Sequence, residues 1–425
     1  MLQHVIDAAR KLSARDVYVV YGHGGEEVRS ALSDNSVEWV EQPEQLGTGH
    51  AVNQAVPAIP EHHTVMVLYG DVPLITAATL RRLAAAASEG LGLLTTHLDD
   101  PSGYGRIVRD DSGAVLAIVE EKDATEQQRA IREVNTGMLA VSAARLQHWL
   151  NSLDNDNAQG EYYLTDIIAR AVDDGVAVQT VSPGFEAEVM GVNNRVQLAQ
   201  LERDYQRRRC EELMMSGVTL RDPERFDLRG ELLTGKDVEI DVNVVIEGKV
   251  TLGDGVSVGP NCYLRDVTIA AGSRINSHSV LEQADIGAEC RIGPFARIRP
   301  ETRLADRVHI GNFVEIKKSQ VADGSKINHL SYVGDSRVGS GVNVGAGVIT
   351  CNYDGANKHL TVIGDDAFIG SDTQLVAPVE VGAGATIGAG STITHDTPPG
   401  ELTLSRARQK TVHGWSRPVK KREQN

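Results

Sequence analysis

The stretch IGAECRIGPFARIRPETRLADRVHIGNFVEI, residues 286–316, places a branched apolar residue at every sixth position. The same spacing, with a few steps of five, runs from Ile240 to Ile393, and glycine often follows the apolar residue. A six-residue period is typical of a hexapeptide β-helix, in which each repeat supplies one short strand of a triangular coil. The branched residue points inward, and small residues let the chain turn at the corners. The sequence therefore predicts a β-helix over this range.

One segment interrupts the period. Residues 347–366 read GVITCNYDGANKHLTVIGDD, and the apolar spacing is lost for about a dozen residues before it resumes. A solenoid presents flat, repetitive sides, so function is expected where the chain leaves the repeat. We therefore expect a site at this excursion, whose polar residues include Asn352, Tyr353, Asp354 and Lys358.

Polar side chains are also frequent in the coils beside the excursion. They are Arg299, Glu315, Lys317, Lys318, His329, Tyr332 and Asn343. Because three hexapeptides make one coil of roughly 18 residues, Arg299, Lys317 and His329 fall within one or two coils of each other. Two cations so placed can hold a phosphate, and a neutral histidine near a carboxylate could take a proton from an attacking amine. The alternative for each residue alone is a solvated face of the coil.

The spacing does not favour a metal in this half of the chain. His309 and His329 are too far apart in sequence for the paired histidines that a metal-binding β-helix would need.

The first half of the sequence has a different organisation. Residues 1–190 alternate helix-like and strand-like segments, the signature of an α/β sheet. EQLGTGHA, residues 44–51, is a glycine-rich loop suited to close approach of a ligand. VLYGDVPL places Asp71 at the end of a strand expected to be parallel, where α/β sheets bind ligands and a carboxylate can hold Mg²⁺. The alternative for the Gly-Asp pair in VLYGDVPL is an ordinary turn. Weaker candidates for sugar or nucleotide contacts are GYGRI, VEEKDA and VNTGM.

Composition limits the class of partner. The net charge of −16 argues against a nucleic-acid binder, and no run of 18 apolar residues indicates a membrane span. The four cysteines lack Cys-x-x-Cys pairing, which fits reduced thiols in the cytoplasm. The basic C-terminal stretch SRARQKTVHGWSRPVKKR is either a solvated tail or an arm that meets an anionic ligand.

Four segments are expected along the chain. They are an α/β domain at 1–192, a helical linker at 193–216, a β-helix at 217–393 and a C-terminal arm at 394–425.

Longer strings now give a family resemblance over the whole chain. The chain resembles the bacterial bifunctional N-acetylglucosamine-1-phosphate uridylyltransferase/glucosamine-1-phosphate N-acetyltransferase family. The strings that carry this resemblance are EQLGTGHA, LYGDVPL, GYGRI, NTGM, AQGEYYLTDI, EVMGVNNR, RDPERFDLRG, GPFARIRP, IGNFVEIKKS and ITCNYDGANK. The resemblance implies a Rossmann-like α/β nucleotidyltransferase domain followed by a left-handed parallel β-helix. It implies a cytoplasmic homotrimer that makes UDP-N-acetylglucosamine for cell-wall and lipopolysaccharide synthesis.

The resemblance also implies two reactions. The β-helix would transfer acetyl from acetyl-CoA to glucosamine 1-phosphate, with His329 as the base. The residues implied for the sugar phosphate are Arg299, Lys317, Tyr332 and Asn343, with Glu315 beside them, and those for acetyl-CoA or the acceptor are Ala346, Asn352, Tyr353, Ser371, Ala389 and Arg406. The site would lie between neighbouring subunits, with the excursion and the C-terminal arm reaching a partner.

The N-terminal domain would then join N-acetylglucosamine 1-phosphate to UTP, with Mg²⁺. The resemblance implies Asp71 and Asn193 for the metal. It implies Gln42, Gly47 and Thr48 for the uracil nucleotide, and Tyr69, Gly70, Gly105, Glu120 and Asn135 for the ribose or amino sugar.

The chain departs from the family pattern at its start. Members open with an apolar strand, a glycine-rich loop and a lysine, and this sequence starts at what resembles the following helix, so we expect a truncated nucleotidyltransferase domain. The loop would bind the triphosphate and the strand would be central in the sheet. We therefore expect impaired uridylyl transfer and an intact acetyltransferase. The alternatives are a monofunctional acetyltransferase with an inactive or sensing N-terminal domain, and a non-enzymatic trimeric scaffold, which the polar cluster disfavours.

Overall fold

The computed structural model describes residues 1–32 and 36–420 of the chain. It divides into two compact units, Met1–Tyr205 and Gln206–Asn425. The boundary falls inside one helix, Arg195–Met215, at the position where the sequence predicted a helical linker. Within the described ranges, no helix combines the length and apolar character that crossing a membrane requires.

The first unit is built from short helices and strands. Its helices are α1 (Leu2–Arg10), α2 (Gly25–Ala31), α3 (Thr48–Ala55), α4 (Ala77–Ala86), α5 (Glu126–Arg129), α6 (Ala143–Leu150) and α7 (Ile167–Asp173), with α8 (Arg195–Met215) spanning the boundary. Its strands are β1 (Tyr18–Tyr21), β2 (Glu38–Glu41), β3 (Thr64–Val67), β4 (Leu91–His97), β5 (Arg106–Arg109), β6 (Val115–Val119), β7 (Glu133–Ser142) and β8 (Val178–Val181).

These strands form two separate sheets. One has the order β6-β5-β7-β4-β8, with β3 on the long central strand β7, and the other is the parallel pair β1-β2. The sequence predicted that Asp71 follows a parallel strand. That prediction is wrong for the pairing seen here, because β3 is hydrogen-bonded to β7 in the antiparallel sense. The only parallel pair in the described part of the larger sheet is β4 with β8.

A cavity separates the two sheets. It has a volume of about 920 Å³ and is lined by β1, β3, α1 and α3, including Val19, Val65, Val67, Val5 and Val52. Open strand edges next to apolar side chains leave backbone groups without ladder partners.

The second unit is built almost entirely from short strands. They are β9 (Thr219–Leu220), β10 (Phe226–Thr234), β11 (Glu239–Ile240), β12 (Val244–Leu252), β13 (Ser257–Val258), β14 (Tyr263–Ile269), β15 (Arg274–Ile275), β16 (Val280–Ile286), β17 (Arg291–Ile292), β18 (Arg297–Ile298), β19 (Thr302–Leu304), β20 (His309–Asn312), β21 (Glu315–Lys317), β22 (Gln320–Val321), β23 (Lys326–His329), β24 (Tyr332–Gly334), β25 (Ser336–Val338), β26 (Asn343–Val344), β27 (Ile349–Cys351), β28 (Thr361–Ile363), β29 (Phe368–Ile369), β30 (Gln374–Val376), β31 (Val379–Val381), β32 (Thr386–Ile387), β33 (Thr392–Ile393) and β34 (Leu402–Thr403).

The strands stack in parallel from coil to coil, which confirms the predicted β-helix. Ile292 pairs with Ile310, and Ile310 with Ile327, so that one coil takes 17 or 18 residues. These three side chains are 0% exposed and point into one continuous core. Burying an isoleucine side chain contributes roughly 1.5–3 kcal/mol, so a ladder of them holds neighbouring coils in fixed register.

The excursion is accommodated without disturbing the stack. Val344 pairs with Ile369, 25 residues later, so the extra residues leave the coil and the ladder resumes at the next strand. The extra residues fold back on themselves through an antiparallel bridge between Tyr353 and Lys358.

The last coil extends further than the sequence predicted. β34 (Leu402–Thr403) pairs with β32, so this part of the segment predicted as an arm still belongs to the β-helix. The hexapeptide period missed it because the strand follows the Pro398-Pro399-Gly400 turn rather than a six-residue step.

Candidate functional sites

One corner of the β-helix carries a vertical row of four predicted site residues and Asn312, which the sequence analysis did not predict. We call Asn312, His329, Ala346, Ser371 and Ala389 the corner column. In each coil the residue after the column member donates its N–H to the carbonyl of the member one coil earlier, over 2.7–3.3 Å. Because neighbouring strands lie about 4.8 Å apart, the three steps from His329 to Ala389 span about 14 Å. The corner column is therefore a straight array, suited to a long, thin ligand.

His329 is held in one orientation at this corner. Its side chain is exposed, and Nδ1 lies 3.0 Å from Oδ1 of Asn312 in the preceding coil. An amide oxygen can only accept a hydrogen bond, so Nδ1 carries the proton and Nε2 keeps a free lone pair. This tautomer is the one that a general base at Nε2 requires.

Arg406 marks the far end of the corner column. Its Nη1 donates to the carbonyl oxygen of Ala389 over 2.7 Å, which brings a cation from the C-terminal segment onto the β-helix. Below it, Gly370 packs so closely that an added Cβ would lie 2.5 Å from the nitrogen of Ala389. Backbone, a serine and a cation from the C-terminal segment therefore line this corner.

A second group of site residues lies at the next corner. We call Arg299, Lys317 and Lys358 the cation cluster. Arg299 donates to Oε1 of Glu315 over 2.7 Å, and the amino groups of the two lysines are within hydrogen-bonding reach of each other. The Lys358 ammonium lowers the pKa of Lys317, and Arg299 adds to this effect. The carboxylate of Asp335 opposes this effect, and three neighbouring cations favour binding of a phosphate.

The excursion builds the other side of the cation cluster. Asn352 is 7% exposed and donates to Oη of Tyr332 over 3.4 Å and to the carboxylate of Asp335. Lys358 reaches the cluster from the far strand of the same small hairpin. The sequence analysis named Lys358 in the excursion but did not assign it to the site. The signal that could have found it was its place in the one segment that leaves the repeat.

Asp354 fixes the tip of that hairpin. Its side chain accepts N–H groups from Ala356 and Asn357 and pairs with Nε2 of His359 over 2.7 Å. These hydrogen bonds hold the pKa of Asp354 well below its usual range. Tyr353, a predicted acetyl-CoA contact, is 59% exposed and donates to Gly355, so it projects from the surface.

The two groups occupy different faces of the prism. His329 and Asn343 belong to β23 and β26 in one stack of strands, whereas Lys317 and Tyr332 belong to β21 and β24 in the next. The predicted sugar-phosphate set is therefore split, with Asn343 on one face and its expected companions on another. A single copy does not bring this set around one point.

In the first unit, the glycine-rich segment predicted as a loop at 44–51 is a loop only up to Gly47, because α3 begins at Thr48. Nε2 of Gln42 donates to the carbonyl of Gly47 over 3.2 Å and lies 3.0 Å from Nδ1 of His50. Gly47 has φ +110°, and an added Cβ would collide with Tyr162, so only glycine fits there. Thr48 accepts a hydrogen bond from Leu164 N–H and begins α3.

The predicted sugar contacts converge beside this loop. Burial and the nearby carboxylates Glu120 and Asp71 raise the pKa of Tyr69 to about 12. Gly137, at φ +82°, leaves room for the Tyr69 ring, and its N–H donates to Oδ1 of Asn135 over 2.9 Å. The structure therefore brings Tyr69 and Asn135 to the same wall, whereas the predicted Gly70 is exposed.

Glu120 lies near Asn135, because the carbonyl of Gly105, beside the Glu120 side chain, accepts from Asn135 N–H over 2.8 Å. Its Oε1 accepts from the hydroxyl of Thr165 over 2.9 Å, and its carboxylate packs against the backbone of Gly105. Burial raises the pKa of Glu120, although the Thr165 hydrogen bond opposes this effect. A half-desolvated carboxylate of this kind is suited to accepting hydrogen bonds from sugar hydroxyls.

The predicted metal pair, Asp71 and Asn193, lies where two segments of the first unit meet. Val192 N–H donates to the backbone carbonyl of Asp71 over 3.0 Å, and Oδ2 of Asp71 faces Gly191. Across the residues that the structure describes, no cluster of three or more acidic, histidine or cysteine side chains could hold a metal. Two hard oxygens are nevertheless the usual protein contribution to a Mg²⁺ that takes its other ligands from water and phosphates.

Comparison with known proteins agrees with this division of the chain. Residues 1–151 match the MobA-like NTP transferase domain, residues 228–309 match the GMPPB C-terminal domain, and residues 360–395 match the bacterial transferase hexapeptide of six repeats. The chain is 61% identical over 427 residues to the bifunctional protein GlmU of Methylococcus capsulatus, which covers 100% of this chain and 93% of that protein. It is 60% identical over 423 residues to the bifunctional protein GlmU of an Azoarcus species, covering 99% and 94%.

The chain belongs to the GlmU family. The predicted fold class, a nucleotidyltransferase domain followed by a parallel β-helix, is thereby confirmed. So is the prediction of an enzyme with acetyltransferase and nucleotidyltransferase activities. The scaffold alternative is set aside, because members of this family are bifunctional proteins.

The carboxyl group of Asp166, in the first unit, should make the stability of the folded state depend on pH. Burial, followed by Asp154 and Glu120, raises the pKa of Asp166 from 3.8 to about 6, while Arg170 opposes the shift. The folded state then binds a proton that the unfolded chain releases, so stability falls as pH rises from about 4 to 6 and stays lower above 6. Asp166→Asn should therefore raise the unfolding temperature at pH 8, with a gain that shrinks towards pH 4.

The transition can be followed through the fluorescence of Trp149, which is buried in the same unit. Glu61→Gln, which changes an exposed carboxyl group in that unit, is the matched control and should show no such pH dependence. An Asp166→Asn gain that is equal at pH 4 and pH 8 would contradict the assignment.

Proposed function

We propose that the chain makes UDP-N-acetylglucosamine in two steps, as a cytoplasmic homotrimer. Acetyl is first transferred from acetyl-CoA to glucosamine 1-phosphate, and uridylyl is then transferred from UTP to N-acetylglucosamine 1-phosphate, with Mg²⁺. The observation that carries the first step is the corner column, which aligns a base with a free Nε2 and a straight array ending at Arg406. None of the four cysteines forms a disulfide in the described part of the chain, which is in keeping with a reducing compartment.

In the acetyl-transfer step, His329 acts as general base. The amino nitrogen of glucosamine 1-phosphate attacks the thioester carbonyl, and Nε2 takes the proton that this nitrogen loses. The carbon–sulfur bond then breaks, CoA leaves as a thiol after receiving a proton, and the amide remains on the sugar. Asn312 contributes by accepting from Nδ1–H, which stabilises the imidazolium as it forms.

The corner column is proposed to hold acetyl-CoA along its length. Ser371 and the backbone at Ala346 and Ala389 offer polar contacts to an extended chain, and Arg406 is placed to pair with a phosphate at the far end. Because the closely packed glycines have no side chains to project from this corner, a ligand can approach the backbone.

The cation cluster is proposed to hold the phosphate of glucosamine 1-phosphate. Arg299, oriented by Glu315, supplies a planar fork of donors, and the two lysines supply point charges. Tyr332 and Asn352 lie beside them as further polar contacts. A bound phosphate would relieve the repulsion between Lys317 and Lys358, which makes the cluster more favourable with ligand than without it.

Two features support a site completed by a second copy of the chain. The column and the cluster lie on different faces, as do Asn343 and Tyr332. Next to the column, Phe295, Phe313 and Leu330 form an apolar ridge with exposures of 46%, 56% and 63%. The two phenyl rings stack at 5.3 Å, and such a continuous exposed apolar ridge is typical of an interface. We propose that this ridge packs against another copy and brings its cation cluster to the column.

In the second step, the first unit positions the nucleotide and the sugar. Gln42, Gly47 and Thr48 are proposed to bind the uracil nucleotide, and the walls formed by Tyr69, Asn135, Gly105 and Glu120 to bind the amino sugar. Asp71 and Asn193 would hold Mg²⁺, which neutralises phosphate charge when bound. The chain's own contribution is to orient the sugar phosphate toward the nucleotide, through hydrogen bonds from fixed walls.

We further propose that uridylyl transfer by this 425-residue chain is weak compared with acetyl transfer. The support is the cavity of about 920 Å³ between β1 and β3, since among the described residues β1 pairs only with β2 and β3 only with β7. A loosely joined pair of strands positions its loops poorly, and nucleotidyl transfer depends on positioning.

The first prediction concerns the base. His329→Ala should lower kcat for acetyl transfer by about 10²–10⁴, because the substitution removes the proposed general base. Release of CoA thiol from acetyl-CoA and glucosamine 1-phosphate is the measurement. His395→Ala, which removes an exposed histidine from a later coil, should leave the rate unchanged. Full acetyl-transfer activity in the His329→Ala chain would contradict the proposed mechanism.

The second prediction concerns the cation cluster. Lys358→Ala should raise KM for glucosamine 1-phosphate by about 10- to 100-fold, since a charge-assisted hydrogen bond to phosphate is lost. Lys318→Ala is the matched control, because Lys318 is 54% exposed and its nearest carboxylate, Glu301, is 4.0 Å away. Initial rates over a range of sugar-phosphate concentrations separate KM from kcat. Equal KM values for both variants would show that Lys358 does not bind the acceptor.

The third prediction compares the two activities of the same preparation. Pyrophosphate release from UTP, N-acetylglucosamine 1-phosphate and Mg²⁺ should be far slower than CoA release, because the gap between β1 and β3 leaves the nucleotide site poorly supported. Comparable turnover in both assays would show that the gap does not impair uridylyl transfer.

A further inference from the structure

Glu188 is a fully buried carboxylate in the first unit. It lies in the short turn Glu186–Val189 and is 0% exposed. Its Oε1 accepts from the backbone N–H of Thr76 over 2.9 Å and from the hydroxyl of Thr76 over 2.6 Å. Its Oε2 accepts from the N–H of Gly184 over 2.7 Å. Three donors therefore converge on one buried side chain.

The same carboxylate faces the beginning of a helix. Thr76 is the N-cap of α4 (Ala77–Ala86), so the negative charge lies at the positive end of the helix dipole. These contacts compensate for the removal of a charge from water. A buried charge is nevertheless weak evidence of a gain in stability, because an apolar side chain of similar size often serves as well. The position of Glu188 in the fold gives a more specific reason for a buried carboxylate here.

Glu188 joins the two segments that carry the proposed metal pair. Thr76 is five residues after Asp71, and Glu188 is five residues before Asn193. A second link joins the segments directly, from Val192 N–H to the carbonyl of Asp71. Between these links, the buried side chains of Val72, Ile75 and Val189 pack in the same core cluster. The two segments thus form one rigid bracket with Asp71 and Asn193 at its open end.

We propose that Glu188 is a positioning residue for the metal site, because its carboxylate locks the 71–76 segment to the 184–193 segment and so sets the separation of Asp71 and Asn193. This inference rests on the proposed function, which assigns Mg²⁺ to that pair. It assigns no contact between Glu188 and the metal. Residues that hold metal ligands in place commonly change metal affinity by about 10- to 100-fold when they are replaced.

Glu188→Gln is the informative substitution. Glutamine keeps one oxygen for the two donors of Thr76 but turns an NH₂ group toward the N–H of Gly184, so one link of the bracket is lost. The segments should then separate at that end. We expect weaker metal binding without loss of the fold.

The experiment is a titration of the full chain with Mn²⁺ alone, with free Mn²⁺ followed by electron paramagnetic resonance. Four proteins are compared: wild type, Asp71→Asn, Glu188→Gln and Leu83→Ala. Leu83 is buried in the same core cluster but touches neither segment's hydrogen bonds, so it controls for general loss of stability. Thermal unfolding of each variant is measured alongside.

The expected result is that Asp71→Asn abolishes binding and Glu188→Gln raises Kd about 10- to 100-fold, while Leu83→Ala leaves Kd unchanged despite its lower unfolding temperature. Asp71→Asn with unaltered binding, or a wild type that binds no Mn²⁺, would overturn the metal assignment and this inference with it. Loss of binding in Asp71→Asn with an unchanged Kd in Glu188→Gln would overturn the positioning role alone. So would a Leu83→Ala variant that loses affinity as much as Glu188→Gln does.

Discussion

The structure of the second unit depends on the stacking of one branched side chain per strand in the core of the prism. Residues such as Ile292, Ile310 and Ile327 bury fully and fix each coil directly above the last. A corner residue is then repeated at one spacing, coil after coil, with its carbonyl hydrogen-bonded to the next. The corner column follows from this constraint, because a rigid ladder inside leaves the chain no freedom at the corner outside.

Function is added where that constraint is relaxed. The excursion leaves the coil after β27 and returns at β28, and the folded hairpin between them carries Asn352 and Lys358 to a corner that already holds Arg299 and Lys317. Repulsion among these cations is tolerated because the core beneath them is stable. In the first unit the pattern is similar, since Gly47 and Gly137 adopt backbone conformations that let Tyr162 and Tyr69 approach closely.

Much of this could be predicted from the sequence. The period of six predicts which residues of the β-helix face inward, and the resemblance names four of the corner-column residues but not Asn312. Three features could not be predicted. The contact between Lys358 and Lys317 depends on how the excursion folds back. The separation of Asn343 from Tyr332 arises because their strands, β26 and β24, lie on different faces of the β-helix. The antiparallel pairing of β3 with β7 depends on a partner strand far along the chain, since Val67 pairs with Leu139 and Thr64 with Ser142, beyond the reach of local pattern.

The claim that the acetyl-transfer site is shared between copies can be tested by mixing two defective chains. One variant carries His329→Ala and the other carries Lys317→Ala with Lys358→Ala, and the two are expressed together and assayed at low glucosamine 1-phosphate. If one copy supplies the column and another supplies the cluster, the mixed oligomer should regain about a quarter of the wild-type rate, because some interfaces then pair two intact halves. A mixture no more active than the two variants assayed separately would show that each copy works alone.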